Sequence, residues 1–329
     1  MTKKALTTTL LLVLVLCLTG CTASKGTEPS MTKEPTTASP TTSAPSGSGL
    51  RLAPHTPLVT HVFTADPSAR VFEGRLYLYP SHDTDQVFPS DNNGGQYQMV
   101  DYHVFSMGAE DTEVTDHGVA LALADIPWAQ KQLWAPDAAY LNGRYHLFFP
   151  AKDREGIFRI GVASGPSPAG PFVAEPEPIA GSYSIDPTVF TDHDGRTYLF
   201  FGGIWGGQLQ SWTTGSYVAA AATPTGAAPA LTPVAAELSD DLRSFKTAPA
   251  PVQILDEQGR PLAAADEDRR FFEGSWVHFY NGLNGYYPHL PMLTVATLGG
   301  TPVSTAGWPV PWVRSRSRWA SCRRTTCSI

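Results

Sequence analysis

Gly181-Ser182-Tyr183-Ser184-Ile185-Asp186-Pro187-Thr188-Val189-Phe190, running on to Thr197-Tyr198-Leu199-Phe200-Phe201-Gly202-Gly203, decides the fold. An acid precedes a proline, a short apolar strand follows, Asp194-Gly195 signals a hairpin turn, and an aromatic strand returns. Pro187 is expected to push Asp186 into extended backbone and to remove one ladder donor, which suits a sheet edge.

The unit recurs. Asp66-Pro67 leads through Val71-Phe72 and Glu73-Gly74 to Leu76-Tyr77-Leu78-Tyr79. Trp134-Ala135-Pro136-Asp137 leads through Asn142-Gly143 to Tyr145-His146-Leu147-Phe148-Phe149. Glu273-Gly274-Ser275-Trp276 leads into Asn281-Gly282. Repeated short antiparallel sheets, each an acid, a strand, a glycine turn and an aromatic strand, predict an all-β propeller.

Composition agrees. Only 16% of residues are charged, 11% are aromatic, and glycine and proline number 29 each. That is a turn-rich β composition. A net charge of −7 argues against nucleic acid as a partner.

Working outward, Val59–Phe63 is expected as a first strand, Tyr97–Phe105 and Val114–Leu123 as further strands, and Ile157–Ser164 as the third strand of the second unit. Asp91–Gly95 reads as a polar loop. Residues 206–265 lose the pattern, and the Ala219–Ala222 run with its prolines reads as a surface insertion.

The N-terminus reads as a targeting segment, residues 1–20. Lys3 and Lys4 precede an apolar run, Leu10–Leu18, too short to span a bilayer. Leu18-Thr19-Gly20-Cys21 resembles a bacterial lipobox, which implies lipid attachment at Cys21. An ordinary secretory signal is the alternative. Residues 21–49, rich in Ser, Thr and Pro, read as an extended tether. A lipid-anchored protein of the cell envelope, facing outside the cytoplasm, is the resulting expectation, with the membrane met only through the anchor. The four cysteines lie at the two ends of the chain, at 17, 21, 322 and 327, so the body holds neither a disulfide framework nor a cysteine zinc site.

Residues 50–287 are the expected propeller. Residues 288–329 are an abnormal tail: all acidic residues lie at or before Glu273, and strand periodicity fades after Tyr287. The tail reads as a frameshifted or truncated end, or as a genuine basic tail.

Three motifs taken together, Thr64-Ala65-Asp66-Pro67, Ser184-Ile185-Asp186-Pro187 and Phe272-Glu273-Gly274-Ser275, resemble glycoside hydrolase family 43 over roughly Pro57 to Tyr287. The resemblance implies a five-bladed β-propeller, here with its fifth blade missing or degraded. It implies an inverting glycosidase acting on arabinofuranosyl or xylosyl linkages of plant-derived oligo- or polysaccharides. It also implies that Asp66 is the general base, Glu273 the general acid, and Asp186 the residue that tunes and orients that acid. An ionised Asp186 is expected to raise the pKa of Glu273, with Asp66 ionised in a wetter position. The family's calcium-coordinating histidine has no convincing counterpart, neither His278 nor His289. A structural calcium therefore rests on resemblance alone, and no metal ligand or certain cofactor is assigned.

Around these acids, His82 and Trp205 are candidate substrate contacts, each also readable as turn or core. Trp134 reads equally as a sugar-stacking ring or as sheet core. Asp137 sits like the catalytic acids, yet the resemblance assigns it no role. A sugar-binding propeller without turnover, and a truncated non-functional product, remain alternative readings.

Overall fold

Two of the glycine turns are tight hairpins with left-handed backbone at both central positions. The φ values are +52° and +76° at Glu73-Gly74, and the same at Asn142-Gly143. This geometry matches the twist of paired strands and is cheapest with glycine second. The first turn joins β1 (Thr64–Phe72) to β2 (Arg75–His82). β3 (Asp101–Met107) and β4 (Thr115–Ala122) complete a sheet of order β1-β2-β3-β4.

The computed structural model describes residues 57–84, 88–91, 93–111, 113–280, 283–289 and 313–314. All of them belong to the compact unit Pro54–Ile329. The expected signal segment, the lipid-attachment site at Cys21, the tether and nearly all of the 288–329 tail lie outside the described residues.

In the second sheet, β5 (Ala129–Lys131) and β6 (Asp137–Leu141) both pair with β7 (Arg144–Asp153). Then follow β8 (Phe158–Gly165) and β9 (Val173–Ala174). The third sheet is β10 (Thr188–Thr191), β11 (Thr197–Phe201), β12 (Val234–Glu237) and β13 (Ala250–Pro251), in that order. β14 (Ile254–Leu255) stands outside these sheets, and β15 (Glu273–Tyr280) pairs with β16 (Leu283–His289). Within the tail, β17 (Val313–Arg314) lies parallel to β14. The molecule is all-β over its described residues, with only short 3-10 turns between strands.

Three expectations are corrected. Val59–Phe63 is not a strand, because pairing begins at Thr64. Tyr97–Val100 is loop, and the strand begins at Asp101. The blurred region is not wholly an insertion: Val234–Glu237 is an inner strand, with Ala235 and Ala236 fully buried. Alanines alternate in size with nothing, so this strand leaves no apolar period.

The sheets pack through aromatic faces. Tyr77, Tyr79 and Tyr102 of the first sheet meet Leu133, Leu147 and Phe149 of the second. Val189, Leu199 and Phe201 of the third meet Phe148, Ile160 and Val162. Each buried ring contributes roughly 1.5–3 kcal/mol. The buried hydroxyls of two of these tyrosines are satisfied, Tyr79 donating to Pro168 O at 2.7 Å and Tyr102 to Trp134 O at 2.5 Å.

The edge strands β1, β6, β10 and β15 meet in succession. Asp137, 1% exposed, ties three of them. It accepts from Arg70 Nε at 2.8 Å, from Arg70 Nη2, and from Val189 N at 2.8 Å. The Arg70 guanidinium also stacks on Trp276, 4.4 Å from its ring centre. This explains why an acid in the position of the catalytic ones has no catalytic part: its oxygens are consumed. Asp137→Ala strands Arg70 and the Val189 amide, and is expected to cost ~3–5 kcal/mol. Chemical denaturation measures this, and a loss below about 1 kcal/mol would refute the tie.

Candidate active site

Irregular backbone carries each of the three motif acids into an edge strand. In β1 the register jumps between Ala65 and Ser68, so Asp66-Pro67 bulges opposite Pro80. The register jumps again between Glu273 and Ser275, with Gly274 at φ +63°. Asp66 has φ +48° and Asp186 φ +54°. The expectation of extended backbone at Asp186 before Pro187 is therefore overturned. The left-handed region is costly for a side-chain-bearing residue and is tolerated best by Asn and Asp. A bulge re-aims a side chain and suits Pro67, which has no amide to pair. Strain of this kind persists where the surroundings hold it.

The surroundings of Asp186 are well defined. Ser184, itself at φ +63°, donates its hydroxyl to Gly207 O at 2.6 Å and accepts from Gly203 N at 3.0 Å. Gly202 N donates to Ile185 O at 2.8 Å. A Cβ on Gly203 or Gly207 would lie 2.5 or 2.7 Å from Ile185 Cδ1, so a larger residue at either position would have to displace the buried Ile185 side chain. The same Gly202–Gly207 segment bridges to the acid strand: Gly203 pairs with Glu273, and Ile204 N donates to Phe272 O at 3.0 Å. One glycine-rich loop thus holds Asp186 and Glu273 together. Gly274 N donates to Asp186 Oδ2 at 3.0 Å, and Thr188 Oγ1 to Ser275 O.

The three carboxyls share one electrostatic field. Glu273 is raised from 4.5 to about 7, mostly by burial and secondarily by the charge of Asp66. Asp186 is pushed well above the usual carboxylate range by burial, then by Glu273 and Asp66, against the Gly274 hydrogen bond. Asp66 is exposed. The expected cause of the Glu273 shift is therefore corrected: burial leads and Asp66 follows, because Asp186 sits too deep to carry a settled charge. The arrangement holds a carboxylic acid protonated near neutral pH beside an exposed carboxylate, the pairing that acid–base hydrolysis needs.

The other expected residues separate. Trp134 lies beneath the site in a cluster with Met99, Phe158 and Ile185, against which Ala65 packs. It is 9% exposed, its Nε1 donates to Tyr97 O at 2.9 Å, and Gly94 lies so close that a Cβ there would be 2.3 Å from the ring. It is a floor under Asp66 and Asp186 more than an open stacking face. Trp205 stays 51% exposed, edge-on to Phe272 at 5.1 Å, on the rim beside Glu273. His82 Nδ1 lies 2.7 Å from Asp101 Oδ1.

Lys152 escapes the sequence reading. It is 5% exposed, its Nζ lies 4.8 Å from the Phe158 ring centre, and it donates to Asn93 O at 3.2 Å. Burial lowers its pKa to about 8. The available signal is a lysine ending the apolar run Leu147–Ala151.

Calcium can be tested against the donors. Among the described residues, His82, Asp101 and His103 alone bring ligand atoms of three such side chains within 4.8 Å of one another. Calcium takes six to eight oxygens. Two imidazoles and one carboxylate do not fit it. The side chains of His278 and His289 lie outside the described residues.

A family model described as glycosyl hydrolases family 43 matches residues 56–237, a span that includes Asp66 and Asp186. This chain belongs to glycosyl hydrolase family 43. It is a glycosidase, hydrolysing O-glycosyl bonds. Among relatives of this family-43 enzyme, a xylosidase/arabinosidase of Humicola insolens is 56% identical over 69% of this chain and 72% of its own. A xylosidase/arabinosidase of Bacteroides ovatus is 49% identical over 68% of this chain and 70% of its own. Among solved structures, a β-xylosidase/α-arabinofuranosidase from a compost microbial metagenome, complexed with xylotriose in a calcium-free form, is 57% identical. It covers 71% of this chain and 72% of its own, with a TM-score of 0.68.

Proposed function

We propose that this family-43 enzyme is an inverting glycosidase that cleaves xylosyl or arabinofuranosyl linkages in plant-derived oligo- or polysaccharides. The observation that carries the reading is Glu273, held protonated to about pH 7 beside the exposed Asp66. Asp66 takes a proton from water as that water attacks the anomeric carbon. Glu273 gives its proton to the glycosidic oxygen as the bond to it breaks. Asp186, fixed by Gly274 N, orients the acid strand. The names of the relatives support the sugar class.

The edge strands meeting in succession support a propeller of which the sheets starting at β1, β5, β10 and β15 are four blades. The family fold supplies a fifth, which this reading takes as missing or degraded. The lipobox-like Cys21 and the tether support an anchored enzyme on the outer side of a cell envelope.

Release of free sugar from an aryl β-xyloside and an aryl α-L-arabinofuranoside tests the reading, with proton NMR of the first-formed sugar. Turnover with the opposite anomeric configuration to the substrate is expected. Retained configuration would sink the inverting mechanism, and no release from either glycoside by a cooperatively melting chain would sink the activity.

Trp205 is expected to hold the leaving-group side of an oligosaccharide. Trp205→Ala should raise KM for xylotriose about tenfold (~1.4 kcal/mol) and leave kcat on a small aryl glycoside near wild type. Steady-state kinetics on both substrates checks this, and an equal change on both would assign Trp205 to packing.

A further inference from the structure

The first sheet carries a row of histidines and aspartates that hydrolysis does not use. On β3, Tyr102 and Val104 face the second sheet. Strand alternation then turns Asp101 and His103 to the opposite face. His82, at the end of β2, joins them there. Asp101 Oδ1 lies 2.7 Å from His82 Nδ1 and 3.9 Å from His103 Nε2. The two imidazole rings are 4.8 Å apart, centre to centre. On its far side, His103 Nδ1 lies 3.1 Å from Asp116 Oδ1, and Asp116 Oδ2 lies 2.7 Å from His61 Nε2.

We propose that His82, Asp101 and His103 form a site for one divalent cation of the zinc class. The donor set is two imidazole nitrogens and one carboxylate, which suits zinc, nickel or cobalt and not calcium. Asp116 supplies the supporting contact that such histidines have. A carboxylate on Nδ1 fixes the ring with its Nε2 lone pair turned outward, here towards Asp101. In that tautomer Nε2 and Asp101 Oδ1 both offer lone pairs, 3.9 Å apart. A cation between them satisfies both. The three side chains are 14–23% exposed, shielded yet open to an entering ion and a fourth, water ligand. Zinc sits about 2.0–2.1 Å from its ligands, so neighbouring donors stand ~3.3 Å apart. His82 and Asp101 are closer than that, and binding exchanges their hydrogen bond for coordination.

The site has a structural consequence. His82 pairs with Thr64, two residues before Asp66, so an ion there clamps the end of the β1–β2 hairpin that carries the exposed carboxylate.

The test uses the full-length, tag-free chain with its thiols alkylated, so that cysteines bind nothing. The chain is loaded with Zn²⁺, dialysed, and its metal content measured by mass spectrometry. Co²⁺ spectra and calorimetric titration with Zn²⁺ and Ca²⁺ accompany this. Expected are one retained zinc per chain, tetrahedral cobalt bands, and no displacement by excess calcium. His103→Gln and Asp101→Asn should lose the retained zinc, and Asp116→Asn should weaken binding about 10–100-fold. A cooperatively melting wild-type chain that retains no zinc overturns the site and leaves a hydrogen-bonded network only. So does undiminished retention in folded His103→Gln, or octahedral cobalt displaced by calcium. None of these readouts uses turnover, so the site stands or falls separately from the hydrolytic reading.

Discussion

Glu273→Gln lowers kcat on an aryl glycoside with a poor leaving group by about 10²–10⁴-fold, the usual worth of a positioned general acid. The amide keeps the shape and loses the proton. An aryl group that leaves readily as its anion needs little protonation, so with such a substrate the loss should shrink strongly. The pH profile gives a second check. Glu273 works protonated, and its carboxyl titrates at about 7. Wild-type activity should therefore fall as pH rises through that value, and the variant should lose this alkaline limb. A variant equally impaired on all leaving groups, with the limb intact, would place the acid elsewhere.

Asp66→Ala should cost a comparable ~10²–10⁴-fold, but evenly across leaving groups, because water activation is needed whatever departs. The residual activity carries a further signature. The Asp66 charge raises the Glu273 pKa, although burial raises it more. Removing that charge should move the alkaline limb to lower pH while leaving it above the ordinary carboxylate range. A limb that stays in place in the Asp66→Ala profile would mean that the two carboxyls do not share a field, and the base assignment would fall with it.

Much of this architecture is legible locally. Glu73-Gly74 and Asn142-Gly143 state their hairpins in two letters, since few other pairs accept φ values near +52° and +76°. The aromatic return strands announce themselves by composition. What stays hidden is set by distance. Val234–Glu237 is an inner strand built of small residues, recognisable only once its neighbours are placed. The backbone at Asp66 and Asp186 contradicts the local preference before proline, because contacts from other parts of the chain hold the site. Gly274 N of the acid strand donates to Asp186, and the bonds of Ser184 with Gly203 and Gly207 hold the segment that leads into it. Local rules fail there because the site is strained for use. The motifs point to the three acids together, but which effect raises Glu273 depends on depth, which letters do not carry. The parts played by Asp137 and His82 likewise depend on Arg70 and Asp101, partners 67 and 19 residues away.

The Arg70–Asp137–Val189 tie joins parts of the chain that are far apart. Each of the first three sheets is made of consecutive strands, so most of its pairing is local. The tie is the opposite case: Arg70 lies 67 residues before Asp137, and the Val189 amide lies 52 residues after it. The bonds of the Asp137 carboxylate are complete only when β1, β6 and β10 are all in place, so loosening any one of the three sheets leaves a buried charge short of a partner.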